Sequence, residues 1–548
     1  SVFDAERARK WAEHCETNHS EHCSIRSSRR VAPQMLRLID VVDNTIAEGV
    51  ESPKYVALSY VWGTVPNFRL TSANKARLMR PGAINDAWAH LPMTIQDAIT
   101  TTRKMGVRYL WADSLCLLQN DQEDLRQGVE VMDLIFEQSW LTIVGACGHD
   151  ANAGLIGTSP GDRNPEPLAR EVRPGVFMGV YFDVDAYLRR SVYESRAWTF
   201  QEHLLSRRIL YFVGGKVFFR CRRSESCETC EDDLTPSTRS RFQFVEEAYL
   251  NTIMLEIPLQ DYAWMIPHYT KRSLTKETDV LRAMAGIIRR VSDEVGYDML
   301  QGIPAGAFDM FLLFHGTNLR RRVGLPSYSW TGWCGEVTIQ THRRVNRWLA
   351  QRTWIVWYHY DLASRAAILV WDLSGKHQSF PAHDRKAEGY RGRKPFRRRC
   401  PDIDVDPCPT TPSGEAWPGN TAQLSYPALR FWTVSVWFRI DNLDVLLATA
   451  KLINAQGQVC GVVSLDGLED SKFFESEDLF EMILLSISDE LVPTVYDSRL
   501  ERESKFYNVM LLEWSEGIAE RRGLGTIRQE DVKNGYAPGP TWKEIILA

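Results

Sequence analysis

The chain contains 548 residues, a length that at roughly 150 residues per domain corresponds to three or four domains. Its composition, 44% hydrophobic and 25% charged, is ordinary for a globular protein and excludes wholesale disorder. The 65 basic and 70 acidic side chains leave a net charge of −5. Such a balance provides no overall field for nucleic acid or an anionic membrane, so we expect neither as a partner.

The sequence contains no stretch close to the ~18 consecutive apolar residues of a membrane-spanning helix, and its first residues lack the apolar core of a secretory signal. The 11 cysteines are sparse for this length and odd in number, which argues against a disulfide framework. We therefore expect a cytoplasmic protein whose thiols are reduced.

Residues 1–54 are predicted to form a helical segment that carries cysteines and histidines. From residue 55 onwards, short apolar runs alternate with amphipathic segments. The predicted elements are a strand at 55–62, a helix at 94–105, a strand at 108–117, a helix at 121–139 and a strand at 141–146. Strands that alternate with helices in this way predict an α/β domain with a parallel sheet.

The same domain is predicted to continue to residue 235, with a strand at 176–184 and a helix at 195–206. Two further apolar runs flank Gly214-Gly215, which is a strong signal for a two-residue hairpin turn. Beyond it we predict a helical segment at 236–325. Residues 326–548 are predicted to form a β-rich, Trp-rich domain with a loop at 384–420.

Five ordered motifs lie between residues 55 and 210. They are YVALSYVWG at 55–63, LPMTIQDA at 91–98, YLWADSLC at 109–116, LTIV at 141–144 with DANAGL at 150–155, and RAWTFQE at 196–202 with LSRR at 205–208. This set resembles the fungal heterokaryon incompatibility (HET) domain. Less specific similarity continues in YTKRSLT at 269–275, PSYSW at 326–330 and YNVM at 507–510. The sequence departs from the family pattern at Leu118, where an acid or amide usually precedes the glutamine.

The resemblance implies a fungal protein with a role in nonself recognition between hyphae and in programmed cell death. HET domains are in turn distantly similar to Toll/interleukin-1 receptor (TIR) domains, some of which cleave NAD. The resemblance therefore implies a TIR-like, flavodoxin-like topology for the parallel sheet. It also places Trp198 and Glu202 where the TIR pattern has a tryptophan followed four residues later by a catalytic glutamate.

Trp198 and Glu202 would lie one turn apart on the same face of the predicted helix. Cleavage of the nicotinamide–ribose bond needs little acid catalysis, because the pyridinium leaves as a neutral ring. It needs a carboxylate beside the ribose to stabilise the oxocarbenium-like charge that develops there. Glu202 would supply that carboxylate, and Trp198 would stack on a planar base. In the alternative, Trp198 is a core residue and Glu202 forms an ion pair. The arginines available for it are Arg196, Arg207 and Arg208.

Asp113 lies near the carboxyl end of the second apolar run, and ligands bind at that edge of open parallel sheets. We therefore predict Asp113 as a second carboxylate of the site. Further pocket residues are predicted to be Ser59, Ser114 and Gln119. A buried aspartate needs hydrogen bonds, so the alternative is that Asp113 caps a neighbouring loop.

Cys15, His19 and Cys23 are spaced i, i+4, i+8, which would align them on one helix face. Thiolate and imidazole ligands suit Zn²⁺, which takes four ligands in structural sites. A fourth ligand would come from the predicted hairpin region, with Cys221, Cys227 and Cys230 as candidates. We predict a structural zinc site formed with Cys221. Ordinary buried thiols and a surface histidine are the alternative.

Three functions remain open from the sequence. The first is a cell-death effector that hydrolyses NAD through Glu202. The second is a non-catalytic protein that signals by self-association of the same domain or through a protein partner. The third is a metal-dependent or pathway enzyme built on the HET scaffold.

Overall fold

The computed structural model describes residues 2–24, 36–159, 161, 163, 169–179, 182–228, 258–342, 345–371, 409, 411–414, 416–468, 479–488 and 505–548. The chain divides into two compact units. The first comprises Ser1–Met254 together with Arg272–Leu274 and Arg282–Ile287, and the remaining residues form the second. The predicted domain end at 235 and most of the predicted loop at 384–420 fall outside the described residues.

The first unit is built on a mixed β-sheet. Its strands are β1 (Leu38–Asp40), β2 (Thr45–Ala47), β3 (Tyr55–Tyr60), β4 (Tyr109–Trp111), β5 (Leu141–Gly145), β8 (Arg208–Val213), β9 (Lys216–Cys221) and β10 (Glu225–Cys227). They lie side by side in the order β10-β9-β8-β5-β3-β4-β1-β2. The four central strands, from β8 to β4, are parallel, and the outer pairs are antiparallel. A separate hairpin joins β6 (Ala169–Arg173) to β7 (Val176–Gly179).

Helices connect the strands of this unit. They are α1 (Ala5–Asn18), α2 (Ser20–Cys23), α3 (Ser72–Leu78), α4 (Ala83–Asp86), α5 (Met93–Lys104), α6 (Asp113–Cys116), α7 (Gln122–Glu130), α8 (Met132–Gln138), α9 (Val184–Leu188) and α10 (Ala197–Leu205). Every residue of β3, β5 and β8 is buried. Central strands of a parallel sheet are covered on both faces, which explains their nearly continuous apolar runs. The predicted α/β domain is thus confirmed, with parallel central strands in a sheet that is mixed as a whole.

The Gly214-Gly215 hairpin is confirmed with its predicted strands β8 and β9. Both glycines have positive φ angles, +58° and +74°. A two-residue turn of this kind needs a positive φ at both central positions, which glycine adopts without steric cost.

Four element boundaries differ from the predictions. The second strand ends at Trp111 because Asp113 begins α6 and accepts a hydrogen bond from the backbone N–H of Ser114. The predicted helix at 121–139 is two helices, since Val131 has φ −114° and ψ 7° and interrupts the helical backbone. The predicted strand at 176–184 ends at Gly179. Finally, β1 and β2 lie within the segment predicted to be helical.

Three of the sequence motifs meet at the carboxyl end of β3. Gly63 has φ +67°, and a Cβ atom there would lie 2.3 Å from the Cβ of Asp150. The backbone N–H of Ala151 donates to the carbonyl of Trp62 at 3.2 Å, and its own carbonyl accepts from Thr94 at 3.0 Å. The side chain of Asp97 accepts from the N–H of Leu155 at 2.8 Å. The segments 55–63, 91–98 and 150–155 therefore form one packed cluster.

The rest of the chain is mostly β-structure. Its strands are β11 (Met299–Leu300), β12 (Ile303–Pro304), β13 (Phe314–His315), β14 (Arg320–Arg321), β15 (Trp333–Cys334), β16 (Thr338–Ile339), β17 (Tyr358–Tyr360), β18 (Ala367–Leu369), β19 (Leu429–Asp444), β20 (Thr449–Ile453), β21 (Val459–Leu465), β22 (Phe480–Ile487), β23 (Phe506–Ser515), β24 (Ile518–Arg528) and β25 (Tyr536–Leu547). Its helices are α11 (Pro258–Thr270), α12 (Ala285–Val295), α13 (Phe308–Leu312) and α14 (Val345–Arg352). Strands β17 to β25 belong to one sheet, in which β19 pairs with both β20 and β22.

The Trp-rich character of the second unit has a structural basis. Trp330 and Trp333 are fully buried, and their indole N–H groups donate to the carbonyls of Gly302 and Ser327 at 3.0 and 2.8 Å. Large rings with a satisfied polar end can fill a core without an unpaired donor. The β-rich C-terminal region is confirmed. Residues 258–325, predicted to be helical, also contain the short strands β11 to β14.

Within the described part of the chain, the helices include none that is both long enough and apolar enough to cross a membrane.

Candidate functional site

The predicted site residues lie at the carboxyl end of the parallel strands. Ser59 is next to the last residue of β3 and is 2% exposed. Asp113 follows β4 at the first position of α6. Because β3 and β4 are parallel neighbours, these two positions come to the same edge of the sheet. Glu202 reaches this edge from α10, the helix that precedes β8.

A chain of hydroxyl groups ends on the Glu202 carboxylate. The Ser59 hydroxyl donates to Oε2 of Glu202. The Tyr193 hydroxyl lies 2.8 Å from the Ser59 oxygen. Since Ser59 uses its proton toward Glu202, Tyr193 is the donor in this second bond. Tyr193 is fully buried, so the chain holds Ser59 in one orientation and fixes the position of the carboxylate.

Burial raises the pKa of Glu202 to about 7, and the negative charge of Asp113 acts in the same direction. The hydrogen bond from Ser59 and the positive charge of Arg196 oppose this rise. Glu202 is therefore a carboxyl group that changes its ionisation near neutral pH.

Asp113 is the second carboxylate at this edge. Burial raises its pKa to about 6, although the backbone N–H of Ser114, the Arg196 charge and the Trp62 indole all favour the ionised form. Arg196 thus acts on both carboxylates. Its Nη1 atom donates to the carbonyl of Tyr60 at 2.6 Å, which anchors the guanidinium at the end of β3. The candidate site therefore consists of two carboxyl groups and one guanidinium group near one edge of the sheet.

The remaining predicted pocket residues have different surroundings. Ser114 is buried and accepts a hydrogen bond from the Tyr60 hydroxyl at 3.1 Å. The amide of Gln119 donates to the carbonyls of Asp113 and Leu117, at 3.0 and 3.2 Å, so it shapes the loop after α6. Trp198 is partly buried on α10, one turn before Glu202.

Two of the arginines considered as ion-pair partners of Glu202 are used elsewhere. Arg207 donates to the carbonyls of Glu137 and Ser139 at 2.7 and 2.9 Å. Arg208 donates to a cysteine sulfur and to the carbonyl of Trp140. Leu118, where the family usually has a polar residue, is 9% exposed, so an apolar side chain fills that position.

No role in the site was predicted from the sequence for Tyr193, Tyr60 or Trp62. Tyr193 lies between α9 and α10, where no periodic pattern marks it. For Tyr60 and Trp62, hydrogen-bond partners could have been expected from the sequence, because a buried tyrosine or tryptophan needs a partner for its polar end. Both partners, Ser114 and Asp113, belong to the next strand-loop segment.

A second cluster joins residues from three elements. The sulfur atoms of Cys15, Cys23 and Cys221 all lie within 4.8 Å of one another, and all three residues are buried. His19 Nδ1 lies 3.4 Å from the sulfur of Cys221. Hydrogen bonds among the three thiols lower the pKa of Cys221 and raise that of Cys15. The four residues predicted together are thus placed together.

The predicted alignment of the three N-terminal residues on one helix face is nevertheless wrong. Helix α1 ends at Asn18, and His19 has φ −119° and ψ 21°, so the three N-terminal residues do not share one helix. Of the other candidate ligands, Cys227 packs in a hydrophobic cluster with Tyr211. Cys230 lies outside the described residues.

A family model described as Heterokaryon incompatibility protein (HET) matches residues 55–202. The matched region ends at Glu202. No curated protein and no solved structure matches the chain. The family match confirms the resemblance found in the five motifs, and residues 55–202 are the part of the chain that is similar to the HET family.

Proposed function

We propose that the HET domain at residues 55–202 acts in nonself recognition and programmed cell death by hydrolysing NAD at Glu202. The observation that carries the proposal is the placement of Glu202 and Asp113, with Arg196, at the carboxyl edge of the parallel strands. Ligand sites of open parallel sheets lie at this edge. The proposed reaction would take place in the cytoplasm.

The order of the parallel strands supports a TIR-like site. Across the sheet they run β4-β3-β5-β8. Numbered by chain position among themselves, these strands have the order 2-1-3-4, which is how the flavodoxin-like order 2-1-3-4-5 begins. In such folds the ligand binds beside the first strand, where Ser59 lies.

In the proposed reaction the bond between the nicotinamide nitrogen and C1′ of the ribose breaks. Its electron pair neutralises the pyridinium ring, so the leaving group needs no proton. Water forms the new bond to C1′ and releases its proton to solvent. The ionised Glu202 carboxylate stabilises the positive charge that develops on the ribose, as carboxylates do in glycoside hydrolysis.

The neighbouring residues have supporting roles in this proposal. The hydroxyl chain from Tyr193 through Ser59 fixes the Glu202 carboxylate before substrate binds. Arg196 favours the ionised form of Glu202 and would attract the phosphates of the substrate. Trp198, partly exposed one turn before Glu202, would stack on the nicotinamide ring.

The test is release of nicotinamide from NAD by the full-length chain. We expect Glu202→Gln to lower the rate by at least about 100-fold, a typical loss for an electrostatic catalytic group. Glu123→Gln is the matched control, because Glu123 is an exposed glutamate that pairs with Arg126 on α7. Equal rates for the two variants, or no release by the parent chain at concentrations that favour assembly, would refute the catalytic proposal.

One observation favours the non-catalytic alternative. The family's usual acid or amide is replaced by Leu118, which is buried. A HET domain without catalysis would signal by self-association or through a protein partner. In that case no NAD would be consumed, and sedimentation of the purified chain would show assembly.

A further inference from the structure

We propose that Cys15, His19, Cys23 and Cys221 bind one structural Zn²⁺ ion. Three of these residues come from the N-terminal segment, and Cys221 is the last residue of β9. The site would therefore join positions about 200 residues apart in the chain.

The distances fit a tetrahedral zinc site. With Zn–S bonds of about 2.3 Å and Zn–N bonds of about 2.0–2.1 Å, the sulfur–sulfur edges of a tetrahedron are about 3.8 Å and the sulfur–nitrogen edges about 3.5 Å. The three sulfur atoms lie within 4.8 Å of one another. His19 Nδ1 and the Cys221 sulfur are 3.4 Å apart. Small side-chain adjustments would bring all four atoms onto one ion.

Hydrogen-bond donors surround two of the three sulfur atoms. The sulfur of Cys221 accepts from the backbone N–H groups of Arg223 and Ser224, at 3.4 and 3.3 Å. Nε of Arg208 donates to the sulfur of Cys15 at 3.2 Å. Donors of this kind would stabilise the sulfur atoms once they bind a metal ion. Three thiolates and one imidazole around Zn²⁺ carry a net charge of −1, which Arg208 offsets.

The ligand set indicates a structural role. Four protein ligands fill a tetrahedral zinc ion and leave no position for substrate. The same region already packs together, since Trp11 of α1 is buried and lies against Phe219 of β9, with ring centroids 6.1 Å apart. The ion would fasten α1 and α2 to the hairpin strand that follows β8.

The first measurement is the zinc content of the full-length chain purified from zinc-supplemented medium without chelator. We expect one zinc per chain, and its loss in Cys221→Ser. The control is Cys147→Ser, which removes a partly buried cysteine whose sulfur contacts the carbonyl of Phe212. Zinc absent from the parent chain, or retained in full by Cys221→Ser, would overturn the proposal. A parent mass lower by two hydrogens would assign a disulfide to the cluster instead.

A second measurement avoids variants that fail to fold. A chelator should remove zinc from the parent chain, lower its melting temperature and make three cysteines reactive to an alkylating reagent, and added zinc should reverse these changes. His19→Ala should weaken zinc binding by about 10-fold or more, because even the loss of a residue that supports a ligand costs about that much. His22→Ala, next to Cys23, should bind zinc as the parent does. A chelator without effect on stability and alkylation, or equal affinities of the two histidine variants, would contradict the proposed ligand set.

Discussion

The ionisation of Glu202 is set by a small number of contacts. Burial and the charge of Asp113 raise its pKa, whereas Ser59 and Arg196 lower it. The resulting value of about 7 leaves both forms populated at neutral pH. Groups of this kind cluster at functional sites, because catalysis needs an acid or base near the working pH. The same contacts also make the stability of the domain depend on pH.

Glu202→Gln should stabilise the first unit at high pH. The pKa of Glu202 is raised from 4.5 to about 7 on folding, so the folded chain holds this proton more tightly. The contribution of this proton to the stability of the folded chain is therefore fully present below pH 4.5 and is lost as the pH rises through 7. We expect the variant to gain about 1–3 kcal/mol over the parent chain at pH 8 and to show no such gain at pH 4. Urea unfolding at both pH values measures this, and an equal gain at both would rule out the charge as its cause.

Ser59→Ala should raise the pKa of Glu202 further. The hydroxyl of Ser59 favours the ionised carboxylate, and its loss removes that stabilisation. Carboxyl NMR of the labelled chain would show the titration of Glu202 shifted to higher pH, by up to about one unit. Ser114→Ala is the control, because its buried hydroxyl bonds to Tyr60 instead. The same shift in both variants would show that Ser59 has no specific effect.

Part of the candidate site could be predicted from the sequence. The position of Glu202 followed from the resemblance, and Asp113 followed from a polar residue at the end of an apolar run. Tyr193 could not be predicted, because its contact with Ser59 spans 134 residues and no local pattern records it. The thiol cluster was predicted from helical spacing, although the helix ends before His19.

At the scale of elements, the apolar runs and the paired glycines predicted the central strands and the hairpin. Burial of the strands and the geometry of the turn are strong local constraints. Two predicted elements, the strand at 108–117 and the helix at 121–139, differ from the structure for reasons that are also local. Asp113 is the first residue of a helical turn, which the apolar run around it concealed. Val131 interrupts a helix whose apolar spacing continues across the break.

The β8–β9 turn permits a matched pair of substitutions. An alanine at either glycine must adopt a left-handed backbone, which costs about 1–2 kcal/mol. At Gly215 the new Cβ meets nothing within 4 Å, whereas at Gly214 it would lie 2.2 Å from the ring of Tyr187. Thermal unfolding should therefore show a larger loss for Gly214→Ala than for Gly215→Ala. Equal losses would mean that Tyr187 moves aside freely.

At the scale of the whole molecule, the chain divides into two compact units. In the second unit, Arg521 is fully buried, and its Nε atom donates to Asp466 at 2.7 Å. Its remaining N–H groups donate to the carbonyls of Leu312 and Phe314 at 3.0 and 2.5 Å. Burial lowers the pKa of Arg521, and the charge of Asp466 together with its hydrogen bond opposes this change.

Asp466→Ala should destabilise the second unit alone. Removal of one partner of a buried ion pair leaves an uncompensated charge and costs about 3–5 kcal/mol. Calorimetry should show one transition moved to lower temperature, while the transition that responds to Glu202→Gln stays in place. The double variant Asp466→Leu/Arg521→Met should recover much of the loss. A joint shift of all transitions would indicate that the chain unfolds as one cooperative body.

The packed cluster of segments 55–63, 91–98 and 150–155 has a consequence for protein engineering. Gly63 accommodates Asp150, and the carbonyl of Ala151 accepts from the N–H of Thr94, so each segment is shaped to fit another. A chimera that took only one of them from another protein that matches the HET family model would combine surfaces that do not pack against each other. Domain exchange between such proteins should therefore transfer the three segments as a single block.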